Sequence, residues 1–147
     1  MLASVLVLAG CSIRVPRYIH VDTPGATVTA VAVTKVSQEG ARVEVTVELH
    51  NPNEHALPLR VSHYTLRIDG FGETTLRDQP PVTVPAHGSR RMVLPASLVT
   101  DGQPLQGQAY AFSGMVTYEP PGEIRRVLTD SGLPLPSASF RSDGVFE

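Results

Sequence analysis

Arg42–His50 reads RVEVTVELH. Val43, Val45, Val47 and Leu49 are apolar, while Arg42, Glu44, Thr46, Glu48 and His50 are polar or charged. In an extended chain successive side chains point to opposite faces, so this alternation predicts a strand with one face buried and one in water. Gln38-Glu39-Gly40 supplies a turn on its upstream side. Before that turn, Thr27–Lys35 also alternates, with Val28, Ala30 and Ala32 on one face and Thr29, Val31 and Val33 on the other. The two segments read as a β-hairpin.

The same period of two recurs downstream. His63–Ile68 places Tyr64, Leu66 and Ile68 on one face and stops at Asp69-Gly70. Shorter runs are expected at Glu73–Leu76, Val82–Val84 and Arg91–Leu94, separated by Pro80-Pro81 and Ala86-His87-Gly88. Ala109–Tyr118 is longer, with Tyr110, Phe112, Val116 and Tyr118 on one face, and Pro120-Pro121-Gly122 ends it. Ile124–Thr129 and Ser137–Arg141 are expected as the last strands. Ala96–Gln106 lacks the pattern; Gly102 and Pro104 argue against a long helix there, and one helical turn is expected around Ser97–Asp101. No window was found to sustain apolar spacing at three and four residues, which argues against a helical bundle. Seven or more short strands, each stopped by a turn signal, make the fold all-β: an antiparallel β-sandwich.

Composition agrees. The chain has 147 residues, enough for one domain, and 41% of them are hydrophobic, enough for a packed core. Lys and Arg number 12 against 14 Asp and Glu, a net charge of −2, which argues against a nucleic-acid partner because that footprint is basic. There is one Cys, so an intrachain disulfide and a cysteine-built metal site are both excluded.

That cysteine has a telling position. Met1–Gly10 is apolar, ends in small residues, and is too short for a bilayer span, which needs about 20 apolar residues. It fits the apolar region and cleavage site of a secretory leader. Leu8-Ala9-Gly10-Cys11 resembles a bacterial lipobox, in which the thiol takes a diacylglycerol and becomes the new N-terminus. A leader of this kind normally opens on Lys or Arg, and Met1–Gly10 has neither. The resemblance implies that Cys11 is the lipid attachment site and that the partner is a membrane. Ser12 stands where Asp would mark inner-membrane retention, which implies an outer-membrane address facing the periplasm. The expected organisation is a signal peptide over 1–10, a proline-bearing tether over 11–25, the sandwich over 26–142 and a tail over 143–147.

Val43–Gly70 carries a second resemblance. Its parts are the alternating strand Val43–Leu49, then Asn51-Pro52-Asn53, the pair Pro58-Leu59, the strand containing Tyr64, Leu66 and Ile68, and the turn at Gly70. Val84-Pro85-Ala86-His87-Gly88 before Arg91–Pro95, and Tyr110–Val116, continue the order. Together these resemble the water-stress and hypersensitive-response (WHy) domain of the type 2 late embryogenesis abundant (LEA) proteins. The resemblance implies an immunoglobulin-like or fibronectin type III-like sandwich, no catalytic residues, no cofactor and a role in stress protection. It departs in Ala96–Gln106, which is shorter and more broken than the helix many members carry there.

Asn51, Pro52 and Asn53 also have a reading of their own. Pro52 has no N–H to give a ladder, and asparagine side chains bond nearby backbone groups, so the run is expected to be a structural corner that ends a strand. Other candidates are weaker. His50, His55 and His63, with Glu48 and Glu54, have metal-ligand chemistry but no tight pair on a rigid element, and solvated strand faces explain them. No Gly-x-Ser-x-Gly elbow, phosphate-cradling loop or dinucleotide fingerprint is present. Arg125-Arg126 reads as a solvated strand end, and Tyr110, Phe112, Tyr118 and Phe140 as core aromatics rather than a pocket lining. The expected function is therefore that of a non-enzymatic, lipid-anchored envelope protein, with other envelope proteins as further partners. The alternative is a carrier of an apolar ligand between the two sheets, with a cavity opening near Phe112 or Tyr118.

Overall fold

A computed structural model describes residues 20–147. Leader, Cys11 and most of the tether lie outside the described residues. The elements in chain order are β1 (Gly25–Val36), β2 (Gly40–His50), β3 (Leu57–Ile68), β4 (Gly72–Asp78), β5 (Thr83–Val84), β6 (Ser89–Val99), β7 (Ala109–Tyr118), α1 (Glu123–Asp130) and β8 (Ser137–Val145). One sheet runs β1-β2-β6; the other runs β4-β3-β7-β8, with the short β5 also on β3. Every pairing is antiparallel. The described residues form an all-β sandwich with one short helix.

The central strand β2 follows its alternation to the letter. Val43, Val45, Val47 and Leu49 are all fully buried, and Arg42 and His50 are exposed. Met92, Leu94, Ala96 and Leu98 of β6 join them from the neighbouring strand. Leu66 and Ile68 of β3, Phe112 and Val116 of β7, and Phe140 of β8 close over them from the opposite sheet. Burial of this apolar surface is the main drive for two sheets to stack. Tyr64 adds a polar tie: its hydroxyl crosses from β3 to donate to the Pro95 carbonyl of β6 at 2.7 Å. Gly114 marks a close approach between β7 and its two neighbours. A Cβ there would stand 2.6 Å from the Phe140 ring and 2.7 Å from the His63 carbonyl oxygen.

Three segments depart from the sequence expectation. Ile124–Thr129 is not a strand: it lies within α1. Its β-branched Ile124, Val127 and Thr129 suit a strand, but Ile124 and Leu128 stand one helical turn apart and share a face. Ser97–Asp101 holds no helical turn. Leu94, Ala96 and Leu98 keep alternating inward, so β6 runs on to Val99. Pro95 is accommodated because β6 is an edge strand, paired on one side only. Finally, β8 continues past Arg141 to Val145 and Phe146 is buried, so the last residues belong to the fold rather than to a tail.

Two strands owe their length to bulges. In β3 a register shift between Leu59 and Ser62 moves the inward set from odd to even positions. The Thr117 hydroxyl patches this bulge, accepting from the Val61 N–H at 3.1 Å and donating to the Val61 carbonyl at 3.2 Å. In β1 a shift between Val28 and Ala30 lets Val28, Val31 and Val33 all pack against the core. An extra residue turns the strand's facing, so simple alternation cannot follow it.

Candidate functional site

Strand direction sorts the connections into two ends. At one end lie residues 20–24, 51–56, 79–88 and 119–136; at the other lie 37–39, 69–71, 100–108 and 146–147. The chain enters the described structure at the first, which is called here the tether end. The corner Asn51-Pro52-Asn53 and α1 sit at that same end.

The corner is a hydrogen-bonded knot. Asn51 is fully buried. Its Nδ2 donates to the carbonyls of His55 at 2.8 Å, Pro85 at 3.1 Å and Val84 at 3.3 Å. Its Oδ1 accepts from the Asn53 backbone N–H at 3.0 Å and from Asn53 Nδ2 at 2.9 Å. Asn53 then clasps the incoming chain: its Oδ1 accepts from the Asp22 N–H at 2.7 Å, and its Nδ2 donates to the Asp22 carbonyl at 2.8 Å. Two main-chain bonds complete the knot, from the Asn51 N–H to Gly88 O and from the His87 N–H to Asn53 O. Amide side chains suit this place because each offers a donor and an acceptor at once. The geometry makes these residues organisers of three chain segments, 20–24, 51–56 and 79–88. No donor or acceptor of the pair is left pointing at a ligand.

Beside the knot, α1 begins after Pro120-Pro121-Gly122, with Gly122 at φ +66°. None of its residues is fully buried. Ile124 and Leu128 lean on the sandwich and, with Val21, Tyr118 and three prolines, line an apolar cleft of about 260 Å³. Burial pushes the Tyr118 phenol above its ordinary pKa, with the Thr23 hydroxyl pulling the other way. Glu119, mostly buried, accepts from Arg60 of β3 and lies 3.5 Å from Arg125 of α1. This carboxylate pins the helix to the sheet. Val127 and Leu133 stay outside, each more than half exposed.

The other sequence candidates are dispersed. His50 and Ser89 meet on the outer face of the β1-β2-β6 sheet, with Nδ1 3.1 Å from Oγ. His63 lies across from Arg77 and Met115 in the other sheet. His55 contributes only its carbonyl to the knot. No three His, Cys, Asp or Glu side chains among the described residues are placed to hold a metal ion. Arg125 and Arg126 are helical, not a strand end, and face Glu119 and Asp130. The four aromatics do not share a pocket. Phe112 packs between Tyr64 and Phe140 with centroids 5.8 and 5.7 Å apart, and Tyr110 packs on Phe146. Tyr118 borders the cleft between sandwich and helix, and Phe140 borders a second, open cleft of about 680 Å³ where β1 of one sheet meets β7 and β8 of the other. The sequence reading missed Asp22, Glu119 and the helix. The spacing of Ile124, Val127 and Leu128 between two proline-rich stretches was the signal for the last. No described helix is long and apolar enough to cross a membrane.

No protein-family model and no curated relative matches the sequence. Solved structures do match. One is the solution structure of a protein assigned to the late embryogenesis abundant group, At2g46140.1, at 16% identity and a TM-score of 0.62, covering 83% of this chain and 69% of that one. Another is the solution structure of AT1g01470 from Arabidopsis thaliana, at 16% identity and a TM-score of 0.57, covering 91% of this chain and 89% of that one. The chain thus has the sandwich fold of an LEA-type protein, as the Val43–Gly70 resemblance leads one to expect.

Proposed function

We propose that this chain is a lipid-anchored, non-enzymatic protein of the bacterial envelope, with an LEA type 2 sandwich that protects or engages other envelope components under water stress. The observation that carries the reading is Leu8-Ala9-Gly10-Cys11, with its single thiol, ahead of a domain whose organised polar residues are spent on its own backbone. Likeness in fold to an LEA-group protein supports the stress-protective part. A thiol carrying several acyl chains holds a membrane firmly, whereas one chain alone binds only marginally.

The test is an intact mass of the protein from the membrane fraction of its own host. The expected form begins at Cys11 and carries diacylglycerol. A Cys11→Ser variant should remain unprocessed or leave the membrane fraction. A mass beginning at Met1 without lipid overturns the address. For the protective role, cells lacking the gene should survive drying worse than cells carrying it, and equal survival overturns that part.

A further inference from the structure

We infer that the tether end of the sandwich, with the exposed Val127 of α1 and Leu133 just beyond it, rests on the lipid surface, so that the domain stands end-on with its glycine-turn end facing away. The inference rests on the lipid-anchored reading of Cys11. It adds a contact surface and an orientation to it.

Reach comes first. Nine residue steps separate Cys11 from His20, the first described residue. Fully extended, they span at most about 32 Å. The eleven residues of β2 make the sandwich about 36 Å long, at roughly 3.3 Å per residue. The anchor therefore keeps the tether end within about 32 Å of the bilayer, less than the length of the sandwich itself.

Surface chemistry at that end agrees. Val127 and Leu133 are 57% and 56% exposed. Apolar side chains on a short helix beside an interface gain by entering the boundary between headgroups and acyl chains. The basic groups of α1 already face partners, Arg125 with Glu119 and Arg126 with Asp130, so the contact need not leave those charges unmatched. Between Cys11 and Val21 the chain carries Arg14, Arg17 and His20 and no acid, which suits anionic headgroups. The far end also shows apolar residues, Val36, Val99 and Val145. They sit at the ends of three different strands, a strand's length from where the chain enters.

The chain has no tryptophan and one cysteine, which makes the test direct. The full chain is coupled through Cys11 to maleimide-bearing lipid in phosphatidylethanolamine–phosphatidylglycerol vesicles, with brominated lipid as the quencher. Single reporters are placed by Val127→Trp, Leu133→Trp and, at the far end, Val99→Trp. Emission from the first two is expected to shift to the blue and to be quenched several-fold more than that from Val99→Trp. Equal quenching at all three positions, or stronger quenching at Val99→Trp, overturns the inference. Because the coupling is chemical, a native protein without lipid would defeat the anchor reading and leave this result standing. A lipidated native protein with three equally wet reporters would defeat the docking alone.

Discussion

The two ends of this sandwich solve the same problem by different means. At the tether end, connections are held by side chains: Asn51 and Asn53 bind the carbonyls of Asp22, His55, Val84 and Pro85 and the N–H of Asp22. At the far end, turns are made by backbone conformation, with positive φ at Gly70, Gly72, Asp101, Gly102 and Gly107. There Thr100 buries a hydroxyl that has no hydrogen-bond partner among the described residues. The first strategy works through side chains; the second works through main-chain groups, such as the Thr100 N–H on the Glu39 carbonyl and the Gly107 N–H on the Phe146 carbonyl. The side-chain hydrogen bonds to connections are thus concentrated where the chain enters.

That contrast can be broken by substitution. Asn51→Ala should have the largest effect, about 3–4 kcal/mol of lost stability read from the urea midpoint, because three carbonyls and the Asn53 amide lose a buried partner together. A loss under about 1 kcal/mol would mean that water replaces the knot. Next comes the tie between sheets, which belongs to neither end. Tyr64→Phe should cost about 2 kcal/mol by orphaning the Pro95 carbonyl. It also carries a pH signature. Burial, with the Asp78 carboxylate adding to it, pushes the Tyr64 phenol from 10.0 up to about 12. The unfolded phenol ionises first, so the folded state binds more protons there, and stability falls as pH rises from 10 towards 12. The Tyr64→Phe chain should fall less steeply over that window in denaturation series at fixed pH.

At the far end the effects are smaller. Gly102→Ala forces a side chain into φ +75° and should lower stability by about 1 kcal/mol. Thr100→Val should reverse the sign and stabilise by about 0.5 kcal/mol, since it removes a buried hydroxyl that lacks a partner. Opposite signs for Asn51→Ala and Thr100→Val, two deletions of buried polar groups, would be the sharpest statement of how the ends differ.

Legibility followed the range of the interactions. Arg42–His50 revealed its facing because a regular strand has a strict period, and the five residues of β2 that alternate inward are buried as that period demands. The bulged strands were harder. One extra residue near Val61 or Thr29 flips the facing, and no local residue type announces it. Ile124–Thr129 was misread as a strand because its β-branched residues outweighed a helical spacing only two turns long. The Asn-Pro-Asn run announced a corner through Pro52. That Asn53 reaches back 31 residues to Asp22 is a tertiary fact that spacing cannot carry.

The clasp on Asp22 has a mechanical meaning. Tension on the chain that enters at Asp22 meets the knot before it reaches Gly25, where β1 begins. The paired bonds to Asn53 stand between that tension and the edge strand β1. The Asn53 amide that helps order the corner thus also serves as a strain relief for the entering chain.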